Sequence, residues 1–196
     1  MNVLRDITRI CLLSNSDIKL RAVERWLAIK NRSDISINVM APGPTNCPQP
    51  LGERSAFACL ERRLLRPFPG DEHTLCIAIE NYITCTTSGW WVDRVAVSFT
   101  RLIKGQVVSD MVSGNFDNFI PRRFVPKMGP ELQMPLGYQQ TVGKTINARH
   151  SFVPHDNWAV WVALSGIDRS TQIVDALRTL DTEWNLFFKP LYSKSE

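Results

Sequence analysis

Cys76-Ile77-Ala78-Ile79-Glu80-Asn81-Tyr82-Ile83 is an apolar run broken by a single carboxylate, and it sits near the middle of the chain. It reads as the core of a strand spanning Thr74 to Ile83, followed by Thr84-Cys-Thr-Thr-Ser-Gly89 as a hairpin loop and by a second strand from Trp90 to Phe99. A further hairpin lies in Arg101–Val108 around Lys104-Gly105. Upstream, Ile7-Thr-Arg-Ile-Cys-Leu-Leu13 is a strand, and Ser14-Asn15-Ser16-Asp17 is a turn rich in helix-capping residues. Ile18, Ala22, Val23, Trp26 and Leu27 then recur at helical spacing, which predicts a helix from Asp17 to Lys30. Ile35, Ile37 and Val39 alternate in a short strand from Asp34 to Met40.

The remaining segments complete the pattern. Ala56, Phe57, Leu60 and Leu64 give a second amphipathic helix that stops at Arg66-Pro67. Downstream, the expected elements are a helix within Asp117–Lys127, a helix over Tyr138–Ala148 and a strand over Trp158–Leu164. A closing helix over Asp168–Trp184 carries Ile173, Leu177, Leu180 and Trp184 on one face. Hairpins placed between strand–helix–strand units predict an α/β domain with a mixed sheet, not a doubly wound parallel one.

Composition bounds the function. A chain of 196 residues suits one domain, so residues 1–196 are read as a single unit. With 44% hydrophobic and 21% charged residues it is not a disordered segment. No apolar run approaches the roughly 18 residues of a bilayer span, and Met-Asn-Val-Leu-Arg-Asp-Ile-Thr-Arg lacks the core of a signal peptide. The expectation is a cytoplasmic chain with no membrane partner. Cys11, Cys47, Cys59, Cys76 and Cys85 form no CxxC pair, and His73, His150 and His155 have no metal-ligand spacing. A net charge of +4 is too mild to predict a nucleic-acid partner. Arg62-Arg63-x-x-Arg66 and Arg122-Arg123 with Lys127 read as solvated surface.

Four segments carry candidate chemistry. Ala41–Gly52 holds four prolines and two glycines, and a loop of that length in a compact domain is a functional candidate. In Leu12–Lys19 a strand runs through a polar turn into a helix, a junction whose free N–H groups and dipole suit an anion. Lys19 adds charge there and Asn15 a donor and an acceptor; the plainer alternative is a capped helix with an exposed lysine. Glu80, ending an apolar stretch, is costly unless paired. A hairpin centred on Thr84–Gly89 would set Glu80 opposite Asp93, and a divalent cation or a shared proton would relieve that repulsion. The alternative leaves Asp93 facing water beside Arg94. Finally, Ser165-Gly-Ile-Asp-Arg-Ser170 places Arg169 at the opening of a helix, where it reaches a phosphate or a base, or serves as a cap.

Taken in order, Ser14-Asn15-x-x-x-Lys19, Gln49-Pro50-x-Gly52, the helix with Arg62, Ile77-Ala-Ile-Glu80 and the late Arg169 turn resemble the inosine/xanthosine triphosphatase family. Ile77-Ala-Ile-Glu-Asn-Tyr-Ile83, Thr141-Val-Gly143, Asn157-Trp158 and Gly166-Ile-Asp-Arg169 are also similar to the C-terminal domain of the eukaryotic proline-rich coiled-coil proteins. Together the likenesses span about residues 7 to 180. They imply an inosine-triphosphatase-like mixed sheet flanked by helices, with two lobes around a central cleft, commonly as a homodimer. The implied activity is Mg²⁺-dependent hydrolysis of inosine and xanthosine triphosphates (ITP and XTP) to monophosphate and pyrophosphate. Ser14, Asn15, Lys19, Arg62 and Arg169 would hold substrate, with Glu80 and Lys19 catalytic. Glu80 would bind the metal, and Asp93 would join it as a second ligand if the cross-strand register holds. Two departures stand out. Val39–Thr45 contains no acid where the phosphatases place a metal-binding Glu, and Ala58-Cys-Leu-Glu-Arg62 lacks the Gly and Asn of the family helix. The alternative they raise is a catalytically inactive domain of this fold that serves protein binding or dimerisation.

Overall fold

The structure, a computed structural model, describes residues 3–43, 47–64, 71–125, 133–134, 136–162 and 166–187. β1 (Arg9–Leu13) buries its last four residues and ends in the Ser14–Ser16 turn. α1 (Asp17–Ile29) follows, with Ala22, Val23, Trp26 and Leu27 on its buried face, and β2 (Ser36–Met40) returns parallel to β1. The proline-rich segment contributes β3 (Gln49–Pro50) before α2 (Glu53–Leu64). The stop expected for this helix at Arg66-Pro67 lies outside the described residues.

Two long strands, β4 (Thr74–Cys85) and β5 (Trp91–Ile103), form the central hairpin, and β6 (Gln106–Ser113) adds the next. β7 (Asn118–Phe119) pairs with the start of β5. β8 (Gln133–Met134) and β9 (Gly137–Tyr138) complete a small antiparallel sheet with β3. The chain closes with α3 (Val142–Arg149), the short α4 (Ala159–Val162) and α5 (Arg169–Phe187).

The main sheet runs β2-β1-β4-β5-β6. The β1–β2 and β1–β4 pairs are parallel, whereas β4–β5 and β5–β6 are antiparallel, so the sheet is mixed. Alternation along β4 and β5 assigns its two faces. Leu75, Ile77, Ile79, Val95, Val97 and Phe99 pack under α1 and α5 with Trp26, Leu177 and Trp184. Cys76, Ala78, Tyr82 and Ala96 face the other way, against Ala56 and Leu60 of α2. A third apolar cluster gathers Ile83, Phe124, Tyr138, Val142, Ile146, Val153 and Trp158 beyond the end of β1. Among the described residues no helix is long and apolar enough to cross a membrane.

Three expected elements differ. In place of the strand expected over Trp158–Leu164, Ala159–Val162 is helical, with Ala159 buried and Val160 and Trp161 exposed; residues 163–164 lie outside the described residues. A short apolar run does not distinguish strand from helix by periodicity. Within Asp117–Lys127 there is β7 and then a single 3₁₀ turn at Arg122–Phe124, begun directly after Pro121. The helix expected from Tyr138 starts only at Val142, because Tyr138 pairs with Gln49 and Thr141 supplies the cap by accepting from the Lys144 N–H at 3.2 Å.

Candidate functional site

The central hairpin closes at Cys85↔Trp91, not at Thr84 and Gly89. Its loop is held by the Thr86 N–H donating to the Trp90 carbonyl at 2.7 Å and by the Trp90 N–H donating to Thr86 Oγ1 at 3.1 Å. Glu80 therefore pairs with Ala96 and Asp93 with Ile83. Instead of opposing each other, the two carboxylates point to opposite faces of the sheet. Each meets an arginine from the helix covering its face. Arg63 of α2 donates from Nε and Nη2 to one Glu80 oxygen, the first at 2.7 Å. Arg169, the first residue of α5, donates to Asp93. Burial pushes the Asp93 carboxyl up to about 6, against the pull of the Arg169 guanidinium.

The pairing of β4 explains where a cleft can form. β1 ends beside Ala78, since Leu12 pairs with Ile77, and the next parallel contact along that edge is Leu51 with Ile83. Between them, Ile79–Tyr82 has no neighbouring strand on this side among the described residues. Lys19 in the first turn of α1 answers part of this edge by donating to the Ile79 carbonyl at 2.7 Å. Glu80 and Asn81 line the rest of the opening, a cavity of about 280 Å³.

Three helix N-termini converge on this cavity. Ser16, Ile18 and Lys19 come from the start of α1; Thr141, Gly143 and Lys144 from α3; Arg169 from α5. Each start is positioned by a local contact. Ser14 Oγ accepts from the Ser16 N–H at 3.1 Å. Gln49 Oε1 accepts from the Val142 N–H at 3.1 Å, so the proline-rich loop caps α3. Asn157 holds the start of α5, accepting from the Arg169 N–H at 3.2 Å and donating to Asp168 at 2.9 Å. His155, Asp156 and Trp158 close the wall.

The electrostatics follow from this packing. Three basic residues, Lys19, Lys144 and Arg169, line the cleft against two acidic ones, Glu80 and Asp156. Burial brings the Lys19 ammonium down to about 8; Glu80 opposes that shift, while Arg63 and Arg169 add to it. Two buried donors at the cleft have no partner, Arg169 Nε and Asn81 Nδ2. A buried donor left unsatisfied costs about 1–3 kcal/mol.

Among the residues singled out in the sequence, Lys19, Glu80 and Arg169 meet in this cleft. Ser14 is buried and acts as the cap contact for Ser16, and Asn15 is exposed; neither lines the cavity. Arg62 is exposed, and Arg63, one residue on, makes the buried contact with Glu80. Gln49 and Asn81, which lie in the motifs quoted above, also line the cavity, as do Lys144 and His155, whose role had no local signature.

Mg²⁺ requires several oxygen ligands in near-octahedral geometry. Here Glu80 and Asp93 lie on opposite faces and each is already engaged by a guanidinium. Among the described residues no three His, Cys, Asp or Glu side chains gather as a metal site. These residues do not fit a protein-held Mg²⁺.

No protein-family model matches the chain, and no curated protein sequence does. Among solved structures the chain is similar to protein VC0702 from Vibrio cholerae, with a TM-score of 0.63 at 13% identity, covering 96% of this chain and 100% of that one. At this identity the likeness speaks for the mixed α/β fold alone.

Proposed function

We propose that the cleft holds the phosphate chain of a nucleoside triphosphate, in an inosine-triphosphatase-like fold whose two lobes enclose it. The convergence of three helix N-termini with Lys19, Lys144 and Arg169 on one cavity carries this reading. Each helix start contributes roughly half a positive charge to an anion. The order of the sequence motifs supports a purine nucleotide, ITP or XTP, over a bare polyanion.

The donor set favours recognition without hydrolysis, that is, the inactive form of this fold, with its outer surface free for dimerisation or protein binding. Glu80 and Asp93, the two carboxylates expected to carry Mg²⁺ and orient a water, are both held by arginine, and the other acid lining the cleft among the described residues is Asp156. Calorimetric titration is expected to show saturable ITP or XTP binding, accompanied by no pyrophosphate release with or without Mg²⁺. Mg²⁺-dependent release that disappears in Glu80→Gln would restore the hydrolase reading. Absence of any phosphate-dependent binding would remove both.

Lys19 makes the binding pH-dependent in a defined direction. An anion favours the protonated lysine, so affinity for inorganic tripolyphosphate is greatest below the free-state value of about 8. It is expected to fall by up to about tenfold per unit as pH rises above that value. Lys19→Met should weaken binding at pH 7 by at least about tenfold and flatten the profile between about pH 8 and pH 9.5. An unchanged profile would exclude Lys19 from the phosphate site.

A further inference from the structure

A second surface lies on the outer side of the cleft wall. Phe152 is 70% exposed and Trp161 59%, and Val160 beside them is 49% exposed. They continue a chain of rings that begins in the third apolar cluster. Phe124 stands 6.0 Å from His150, His150 stands 6.0 Å from Phe152, and Phe152 stands 6.1 Å from Trp161, each edge to face. Its inner end is buried and its outer end faces water. Isolated apolar residues on a surface are ordinary, but aromatics joined into one ridge mark an interaction site.

Arginines predominate around the ridge, with one exposed acid, Asp156, in the segment between Phe152 and Trp161. Arg122 and Arg123 are exposed on the 3₁₀ turn, and the Arg123 guanidinium lies 4.9 Å over the Phe124 ring. Arg149, also exposed, donates to the Arg123 carbonyl at 3.4 Å, which brings it beside the 3₁₀ turn that carries Arg122 and Arg123. From Asn118 to Trp161 the described residues include Arg122, Arg123, Lys144 and Arg149 against one acid, Asp156; Glu131 lies outside them. Exposed Trp and Arg are the residue types that carry most binding energy at protein interfaces.

We infer that this ridge docks an acidic segment of a partner protein, anchored by an apolar side chain between Phe152 and Trp161. Carboxylates flanking the anchor pair with Arg122, Arg123 and Arg149, where bidentate guanidinium–carboxylate bonds set the register. The inference is independent of the nucleotide reading, since none of these side chains lines the cleft.

A phage-displayed library of random 16-residue peptides, selected on the full chain, tests this directly. The enriched peptides should share a Leu, Ile, Phe or Trp flanked by Asp or Glu. A synthetic copy of one should lose at least tenfold in affinity on the Phe152→Ser, Trp161→Ser protein and on the Arg123→Glu, Arg149→Glu protein. It should bind the Lys19→Met protein as tightly as the parent. Because Phe152, Trp161, Arg123 and Arg149 are exposed, unchanged circular dichroism is expected for both ridge variants. Failure to enrich a related set, enrichment of peptides without acids, or retention on both ridge variants overturns the proposal. So does tighter binding of a 12-nucleotide single-stranded RNA than of the selected peptide.

Discussion

Arg63→Ala is expected to lower the stability of this protein by about 3–5 kcal/mol, the cost of removing one partner from a buried ion pair. The Arg63 and Glu80 side chains are only 10% and 7% exposed, and Glu80 sits in a strand whose other inward residues on that face are Cys76, Ala78 and Tyr82. Without the guanidinium, the carboxylate still interacts with the Lys19 ammonium, a cation that burial itself destabilises. Replacing both partners by apolar residues of similar volume is a different matter, because the desolvation cost then disappears with the charges. The Arg63→Met, Glu80→Leu protein should therefore regain most of the loss. Denaturant unfolding of the three proteins measures this. If Arg63→Ala stays within about 1 kcal/mol of the parent, the pair is not the clamp between α2 and β4 described above.

Gly143→Ala is the second large effect. A Cβ at this position would meet the His155 carbonyl oxygen at 1.7 Å, its carbon at 2.8 Å and Trp158 Cδ1 at 3.1 Å. The first two are backbone atoms. The opposing segment cannot easily retreat, since Asn147 donates to the Val153 carbonyl at 2.9 Å and Trp158 is buried in the third apolar cluster. Overpacking of this kind costs about 1–3 kcal/mol where neighbours can yield, and here the expected loss is at or above the top of that range. It should also abolish phosphate binding, because Thr141, Gly143, Lys144, His155 and Trp158 form one wall of the cleft and must move together. Thermal unfolding and tripolyphosphate titration of the variant provide the check, and wild-type behaviour in both would show that the close approach of α3 to His155 is not required.

Much of the architecture was legible along the chain. The spacing of Ala22, Val23, Trp26 and Leu27 marked α1, and the strand–turn–helix passage around Ser14–Lys19 was visible as a capped turn before it. The apolar run through Ile79 and the Lys104-Gly105 turn marked the central strands and thereby the mixed sheet. These signals are local: each depends on a repeat of two or 3.6 residues, or on a turn-forming pair.

The failures are equally specific. Arg62 and Arg63 are equally good candidates in sequence, yet one helical step of about 100° separates a solvated side chain from a buried one. Glu80 and Asp93 appeared to face each other because the loop was centred on Thr84–Gly89. The hydrogen bonds of Thr86 with Trp90 move the closure, and an offset of an odd number of residues turns every side chain to the other face. Lys144, His155 and Arg169 are distant along the chain from Lys19 and share the cavity only because α3 and α5 start beside the uncovered edge of β4.

From the order of residues came most of the elements, the class of fold and the strand–turn–helix passage that carries Lys19. The folded chain alone assigned which arginine neutralises which carboxylate, which helices open onto the cleft, and that two acids expected to share a cation are separated by a sheet. Periodicity is a relation between neighbours in sequence, whereas strand register and helix rotation are settled by packing against elements that sequence places far away.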